Sequence, residues 1–384
     1  MATSGKLMTE WLCSPQAEDF VARKVDQFVA AMPPVRALQA DLAFTNTRLV
    51  DWLDHLALAD GAETRKQLAD LGFELDQVAA EPGDTVYYHP RALLPRVLLR
   101  AETGAAPGDV VAMAVHVENV SEFLEARQAG AMVEGTPFGP YRRAGVWRWN
   151  GREFSAVERR GHQGFIPLQM PPDYPLRYLH AFERWDTRPR QFDDVHSGMA
   201  QTLALARTLV SELGSGMAAW VALAAEYTYW QRRSRARHAR RDRQDKLGMG
   251  WLNRNHYTFR SSRETFGALA QVLEALGFRP HERFHAGAEV GWGAQVMEQP
   301  SCRVTVFVDL DLTPDEDAGD SEPRLDLWCT LHGESMLIAG LHHFIDRFDL
   351  VRTAGLMAEW DVKMMTPFSS LRRTMAQEQS WRAN

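Results

Sequence analysis

The chain has 384 residues, of which 45% are hydrophobic, so it is long enough to form one large or two ordinary domains. Its formal net charge of −7 argues against nucleic-acid binding as its main task, because such domains are usually strongly basic. The three cysteines show no Cys-x-x-Cys spacing, which argues against a disulfide framework and a zinc knuckle.

The amino terminus lacks the basic and then apolar pattern of a signal peptide. The longest apolar stretch, at 217–225, is too short to cross a bilayer. These features predict a soluble, cytoplasmic protein that binds neither membranes nor nucleic acid.

The first predicted elements are N-terminal helices over residues 1–49, because apolar residues recur there at helical spacing. A first module is predicted over 50–118. It comprises a strand that carries His55, a helix that ends at Gly72, and then strands at 85–89, 96–102 and 110–117.

An insertion is predicted over residues 119–250. It contains a helix at 121–129, a β-hairpin around Asn150-Gly151, a proline-rich connector and two helices that break near Gly214. The second of these helices ends in an arginine run at 232–243. We interpret this run as a solvated helix face or a dimer contact, which leaves a homodimer open.

A second module is predicted over 251–340, followed by a C-terminal helix and tail over 341–384. The module comprises a strand at 255–260, a helix at 263–276, and strands at 290–297, 302–312 and 325–331.

The two modules share a histidine signature. Asp54-His55 precedes a helix that exits through Leu71-Gly72-Phe73, and Asn255-His256 precedes one that exits through Leu276-Gly277-Phe278. Paired βαβββ modules of this kind can enclose a cavity lined by inward-facing residues. We therefore predict an α+β protein in which two βαβββ modules form one curved sheet around a metal site.

Residues on the second histidine strand predict the chemistry of that cavity. Alternation along a strand places His256, Thr258 and Arg260 on one face. Arginine suits a substrate carboxylate because its planar fork donates two parallel hydrogen bonds. Thr258 and Arg260 are therefore candidate catalytic residues.

A third metal ligand is expected from a carboxylate. Two histidines and one carboxylate form the usual set for Fe(II) oxygen chemistry, because they leave positions open for substrate and oxygen. Glu334, after the last predicted strand, is the first choice, Glu298 is the second and Glu158 is the third.

The run Asn-His-x-Thr-x-Arg at 255–260 resembles the second metal-histidine strand of the 2-oxoadipate dioxygenase/decarboxylase (hydroxyglutarate synthase) family. This family is a divergent relative of the vicinal oxygen chelate superfamily. The resemblance implies Fe(II) held by His55, His256 and Glu334, with a 2-oxo acid and dioxygen as partners, and a reaction that decarboxylates and hydroxylates the acid. One departure concerns the substrate: the family's carboxylate-binding arginine follows the first histidine by four residues, where this chain has Ala59.

Two other functions stay open. One is an oxygen-independent, metal-dependent lyase or isomerase of the vicinal oxygen chelate type, and the other is a catalytically inert protein that binds a small molecule. The chain contains no phosphate-binding glycine loop and no Gly-x-Ser-x-Gly elbow, so nucleotide-binding and serine-hydrolase functions have little support.

Overall fold

A computed structural model describes residues 14–311, except 46, 91, 93, 102–103, 233–240, 252–255, 263 and 286–291. Within these ranges the chain folds into a mixed α/β protein with two hydrogen-bonded sheets. Eight helices are described outside these gaps: α1 (Pro15–Ala31), α2 (Pro33–Ala43), α3 (Ala62–Asp70), α4 (Val120–Ala126), α5 (Tyr174–Asp186), α6 (Val195–Leu213), α7 (Ser215–Gln231) and α8 (Phe266–Ala275).

Seven strands form the larger sheet. They are β1 (Leu53–Ala59), β2 (Glu74–Leu75), β3 (Asp84–Tyr88), β4 (Arg96–Arg100), β5 (Val110–His116), β6 (Tyr141–Trp149) and β7 (Arg152–Arg159). Their spatial order is β2-β3-β4-β1-β5-β7-β6, so β1 and β5 pair at the centre in antiparallel register.

The two faces of the seven-stranded sheet differ in size and polarity. Large apolar residues such as Leu56, Leu58 and Met113 point toward helices α1 to α4 and form a core with Phe20 and Phe28. The opposite face carries small or polar side chains between these positions, because successive residues of a strand point to opposite faces. This face is open enough to form a cleft.

Four strands form the smaller sheet, in the order β8-β11-β10-β9. They are β8 (His256–Ser261), β9 (Arg279–His285), β10 (Trp292–Gln299) and β11 (Val304–Asp311). One face, which includes Tyr257 and Phe259, packs in a second core with helices α5 to α8. Helix α7 is buried along nearly its whole length because its sequence is apolar on all sides.

The observed strand order corrects two expectations. Among the described strands the two predicted modules do not share one sheet, since β1 belongs to the seven-stranded sheet and β8 to the four-stranded sheet. The strand at 110–117 does not complete the first module either, because β2, β3, β4 and β1 are already neighbours, and β5 joins β1 to β7 of the predicted hairpin. The sequence pattern predicts where strands lie, but hydrogen bonds between distant segments decide which strands pair.

Three further expectations concern parts of the chain outside the described residues. These are the strand at 325–331, the C-terminal helix and most of the arginine run. None of the helices in the described part is long and apolar enough to span a membrane.

Candidate functional site

His55 lies on the open face of the seven-stranded sheet. Toward β5 its neighbours on this face are small: Ala57 follows on the same strand, and Ala114 faces His55 across the β1–β5 ladder. Toward β4, Arg96 is in register with His55. The imidazole is 8% exposed and packs edge-on against Phe165, with 4.9 Å between the ring centres, and the short alanine side chains leave a small space beside it.

Asp54 fixes the orientation of the His55 ring. Its carboxylate lies 2.7 Å from Nδ1 of His55. The same carboxylate accepts two hydrogen bonds from Arg159, at 2.6 Å from Nε and 2.9 Å from Nη2. The guanidinium of Arg159 is in turn stacked between the rings of Tyr141 and Phe165, 4.6 Å from each ring centre.

These contacts set the protonation state of the Asp54–His55 pair. Although burial alone would raise it, the pKa of Asp54 is held well below its usual value by Arg159 and by the hydrogen bond with His55. Burial lowers the pKa of His55 despite the neighbouring carboxylate. An ionised carboxylate accepts hydrogen bonds but donates none, so Nδ1 carries the proton of the neutral ring. The lone pair of His55 is then on Nε2.

The cleft above His55 has a narrow end and a wide mouth. The narrow end has a volume of about 40 Å³ and is lined by His55, Tyr141 and Phe165. The mouth has a volume of about 980 Å³. Five charged residues line both parts: Glu81, Asp84, Arg100, Arg143 and Glu153. We call this space the sheet cleft.

Arg100 lies beside Ala59, the position at which the resemblance leads one to expect an arginine. Strands β1 and β4 are parallel neighbours, and their register pairs Ala59 with Arg100. The guanidinium of Arg100 contacts Asp84 at 3.1 Å, and its side chain remains 37% exposed. The sheet cleft therefore contains a cation close to the place where the resemblance requires one, supplied by the adjacent strand.

The second predicted histidine lies in the other sheet. The backbone of His256 begins β8, in register with Thr305 of β11, but its side chain is outside the described part. Thr258 is half-buried, two residues further along β8, and the side chain of Arg260 is not described. Glu334 lies beyond the described residues. The structure therefore shows one predicted ligand, His55, with its side-chain contacts.

The two alternative carboxylates have different surroundings. Glu298 of β10 pairs in register with Thr305, which places His256, Thr305 and Glu298 in one row across three adjacent strands. Glu158 is 1% exposed and binds Arg142, Arg160 and the backbone N–H of Val120. Glu158 has a structural role and lies away from the sheet cleft.

The described residues around His55 do not form a metal site. Nowhere in the described ranges do three histidine, cysteine, aspartate or glutamate side chains lie close enough to hold a metal ion. On its own face His55 has Ala114 of β5 on one side and Arg96 of β4 on the other, and Arg159 places a positive charge beside Asp54. Further ligands for a metal bound by His55 would have to include side chains outside the described residues, where the expected ligands are His256 and Glu334.

The sequence analysis missed three residues of the candidate site. Asp54 is adjacent to His55 in the sequence, and an acidic residue before a strand histidine is the available signal for it. Arg159 is 105 residues from Asp54 and Arg100 is on a different strand from Ala59. Finding these two requires the strand register, which no local pattern provides.

No protein-family model matches the chain, and no curated protein matches it in sequence. Methylmalonyl-CoA epimerase from Mycobacterium tuberculosis is a similar solved structure, with 18% identity over 29% of this chain and 91% of its own and a TM-score of 0.23. The Mn(II)-bound glyoxalase from Novosphingobium aromaticivorans has 10% identity over 70% of this chain and 85% of its own, with a TM-score of 0.21. A mutant of 4-hydroxymandelate synthase from Streptomyces coelicolor has 11% identity over 67% of this chain and 62% of its own, with a TM-score of 0.20. Similarity at these scores carries no conclusion about family or activity.

Proposed function

We propose that the chain is an enzyme that moves a proton on a small, carboxylate-bearing substrate, such as a 2-oxo acid, in the sheet cleft. The observation that carries the proposal is the Asp54–His55 pair, since a neutral imidazole with its lone pair on Nε2 lies at the cleft floor. An imidazole oriented by a buried carboxylate is a common general base.

Arg100 supports the choice of a carboxylate-bearing substrate. His55 and Ala59 are four residues apart on β1, which corresponds to about 13 Å along a strand. Arg100 stands beside Ala59, and the side chains of His55 and Arg100 both line the narrow end. A short acid held by its carboxylate at Arg100 places its next carbons toward His55.

Proton removal creates a positive charge on His55 and a negative charge on the substrate oxygen, and neighbouring residues can stabilise both. Nε2 of His55 takes the proton from the carbon next to the carbonyl, and the electron pair moves onto the carbonyl oxygen. Ionised Asp54 stabilises the imidazolium that forms. Burial raises the pKa of Tyr141, so its hydroxyl keeps its proton and donates a hydrogen bond to the developing oxyanion. The imidazolium then returns a proton to the substrate.

Deuterium exchange tests this function directly. In D2O with 2-oxo acids of three to six carbons, the wild type is expected to speed loss of the C3 proton signal in proton NMR well above the spontaneous rate. His55→Gln should abolish the acceleration, whereas His180→Ala, an exposed histidine of α5, should retain it. Equal rates for the wild type and His55→Gln would overturn the proposal.

A second candidate function is the non-haem Fe(II) oxygenase that the resemblance implies, with metal held by His55, His256 and Glu334. One observation favours it, since histidines that bind metals usually donate their other ring N–H to a carboxylate, as His55 does to Asp54. When bound, Fe(II) would supply oxygen activation, while Arg100 would hold the acid's carboxylate.

Metal content separates the two functions. Protein purified without oxygen and loaded with Fe(II), Zn or Mn would be assayed for metal in the wild type, His55→Ala and His256→Ala. The oxygenase requires a bound metal that both variants lose, together with oxygen uptake in the presence of a 2-oxo acid. Metal that survives His55→Ala but not His256→Ala would place the metal centre away from the sheet cleft.

A further inference from the structure

A second cavity lies in the helical layer, apart from the sheet cleft. It has a volume of about 440 Å³ and is enclosed by residues of α5 to α8, β8 and the segment between α5 and α6. This volume is within the range of about 300–1,000 Å³ that is typical of small-molecule sites. Most of the wall is apolar, with contributions from Phe192, Leu223, Phe259, Leu269 and Leu273.

One end of this cavity is charged. Glu226 interrupts the apolar sequence of α7 and its side chain is 3% exposed. Its carboxylate binds Arg190 at 2.9 Å and also pairs with Arg188. The indole N–H groups of Trp185 and Trp230 donate to it at 2.9 and 3.2 Å.

The charges at this end do not balance. Among the described residues, the guanidinium groups of Arg188 and Arg190 share one carboxylate. Arg190 also lies 3.6 Å from the ring centre of Tyr229 and donates to the carbonyl of Asp186, so one positive charge is balanced by neutral groups alone. The Nε atoms of Arg188 and Arg190 are buried and have no hydrogen-bond partner in the described part of the chain. Burial also lowers the pKa of Arg188, because its charged form has lost solvent. An anion bound beside the two guanidinium groups that line this end would compensate the charge.

Phe192, in the segment between α5 and α6, lines the cavity because it packs closely against Gly198 of α6. Phe192 lies against the Cα of Gly198, where a Cβ atom would come within 2.3 Å of the ring. The glycine therefore lets the aromatic side chain sit flat on α6 and line the cavity rather than project into solvent.

We propose that this cavity binds an amphipathic monocarboxylate, with its carboxylate at Arg188 and Arg190 and its hydrocarbon part among the apolar residues. The wall suits an aliphatic or aromatic body, and the charge excess selects an acid over a neutral compound of the same shape. The site is separate from the one that carries the proposed reaction, so it binds a different molecule or a regulator.

Calorimetry with the full chain tests this site, with octanoate as the probe and 1-octanol as its uncharged counterpart. Octanoate is expected to bind at least about tenfold more tightly, since only the carboxylate forms a charged hydrogen bond with the two arginines. A series from hexanoate to dodecanoate should show an optimum set by the cavity length. Equal affinities for octanoate and 1-octanol would overturn the proposal.

Four variants separate binding in the cavity from adsorption elsewhere. Thr202→Leu narrows the cavity from α6 and should weaken binding of both probes, and Arg188→Gln should weaken octanoate by about tenfold but leave 1-octanol unchanged. Arg184→Gln, on α5 but outside the cavity, should bind as the wild type does. Glu226→Gln should tighten octanoate binding, because it removes the competing carboxylate. Unchanged octanoate binding in folded Thr202→Leu and Arg188→Gln would show that the acid binds elsewhere and refute the site.

Discussion

Arg100 of β4 stands in register with Ala59 of β1, on the same face of the sheet as His55. An arginine on β4 can thus place its charge in the same cleft as an arginine at position 59 of β1 would, because neighbouring strands are only about 4.8 Å apart. Four predictions follow from this and the other contacts of the site.

Arg100→Gln should weaken binding of a carboxylate-bearing substrate by at least about tenfold, because a charged hydrogen bond of about 1.5–3 kcal/mol is lost. KM from the deuterium-exchange assay measures this. Arg100→Lys should recover part of the loss, since it keeps the charge but not the two-pronged geometry. Arg232→Gln is the matched control, because that side chain is 59% exposed and does not line the sheet cleft. If Arg100→Gln left KM at the wild-type value, Arg100 would not bind substrate.

Asp54→Asn should destabilise the fold by about 3–5 kcal/mol, because it leaves the buried guanidinium of Arg159 without its carboxylate. Urea denaturation measures the free energy of unfolding. Asp60→Asn, at a largely exposed pair with Arg65, should change it little. If both variants lost a similar free energy of unfolding, the buried Asp54–Arg159 pair would not stabilise the fold more than the Asp60–Arg65 pair does.

The lowered pKa of His55 predicts a pH dependence of stability. Below about pH 6.5, the ordinary pKa of histidine, the unfolded chain takes up a proton at this residue that the folded chain does not. The free energy of unfolding should therefore decrease as the pH falls from 7.5 to 5.5, and more steeply in the wild type than in His55→Gln. Urea titrations at four pH values compare the two slopes, and parallel slopes would contradict the assignment of His55 as neutral.

Gly161→Ala should destabilise the protein more than Gly151→Ala by at least about 2 kcal/mol. Both glycines have positive φ, of 59° and 75°, so both substitutions carry a similar backbone penalty. A Cβ at Gly161 would lie 2.5 Å from the backbone of Gly216 at the start of α7, whereas nothing lies within 4 Å at Gly151. Thermal or urea unfolding of both variants isolates the cost of separating β7 from α7.

Local patterns predicted most elements of the described part. The hairpin strands β6 and β7 were expected because Asn150-Gly151 selects a tight turn, and Asn150 and Gly151 both have positive φ. Helix α5 was missed because its start at Tyr174-Pro175 lies in a proline-rich segment that resembles a connector. Proline in a first helical turn is compatible with the helix, so the composition was misleading there.

The site was predicted less completely than the elements. His55 was identified because its strand-helix context repeats, but its contacts depend on Arg159, which is brought close only when β7 pairs with β5 and β5 with β1. The grouping of strands into units could not be predicted for the same reason. An apolar strand such as β5 has the same sequence pattern whether it ends one unit or begins the next.

The antiparallel ladder between β1 and β5 is the seam that joins the two halves of the seven-stranded sheet, and Ala57, Ala112 and Ala114 lie along it. The size of the side chains along this ladder therefore determines how close a bound ligand can come to the imidazole of His55. Replacing one of these alanines with a residue that has a branched side chain would therefore shift selectivity toward shorter acids. No charged residue would have to change.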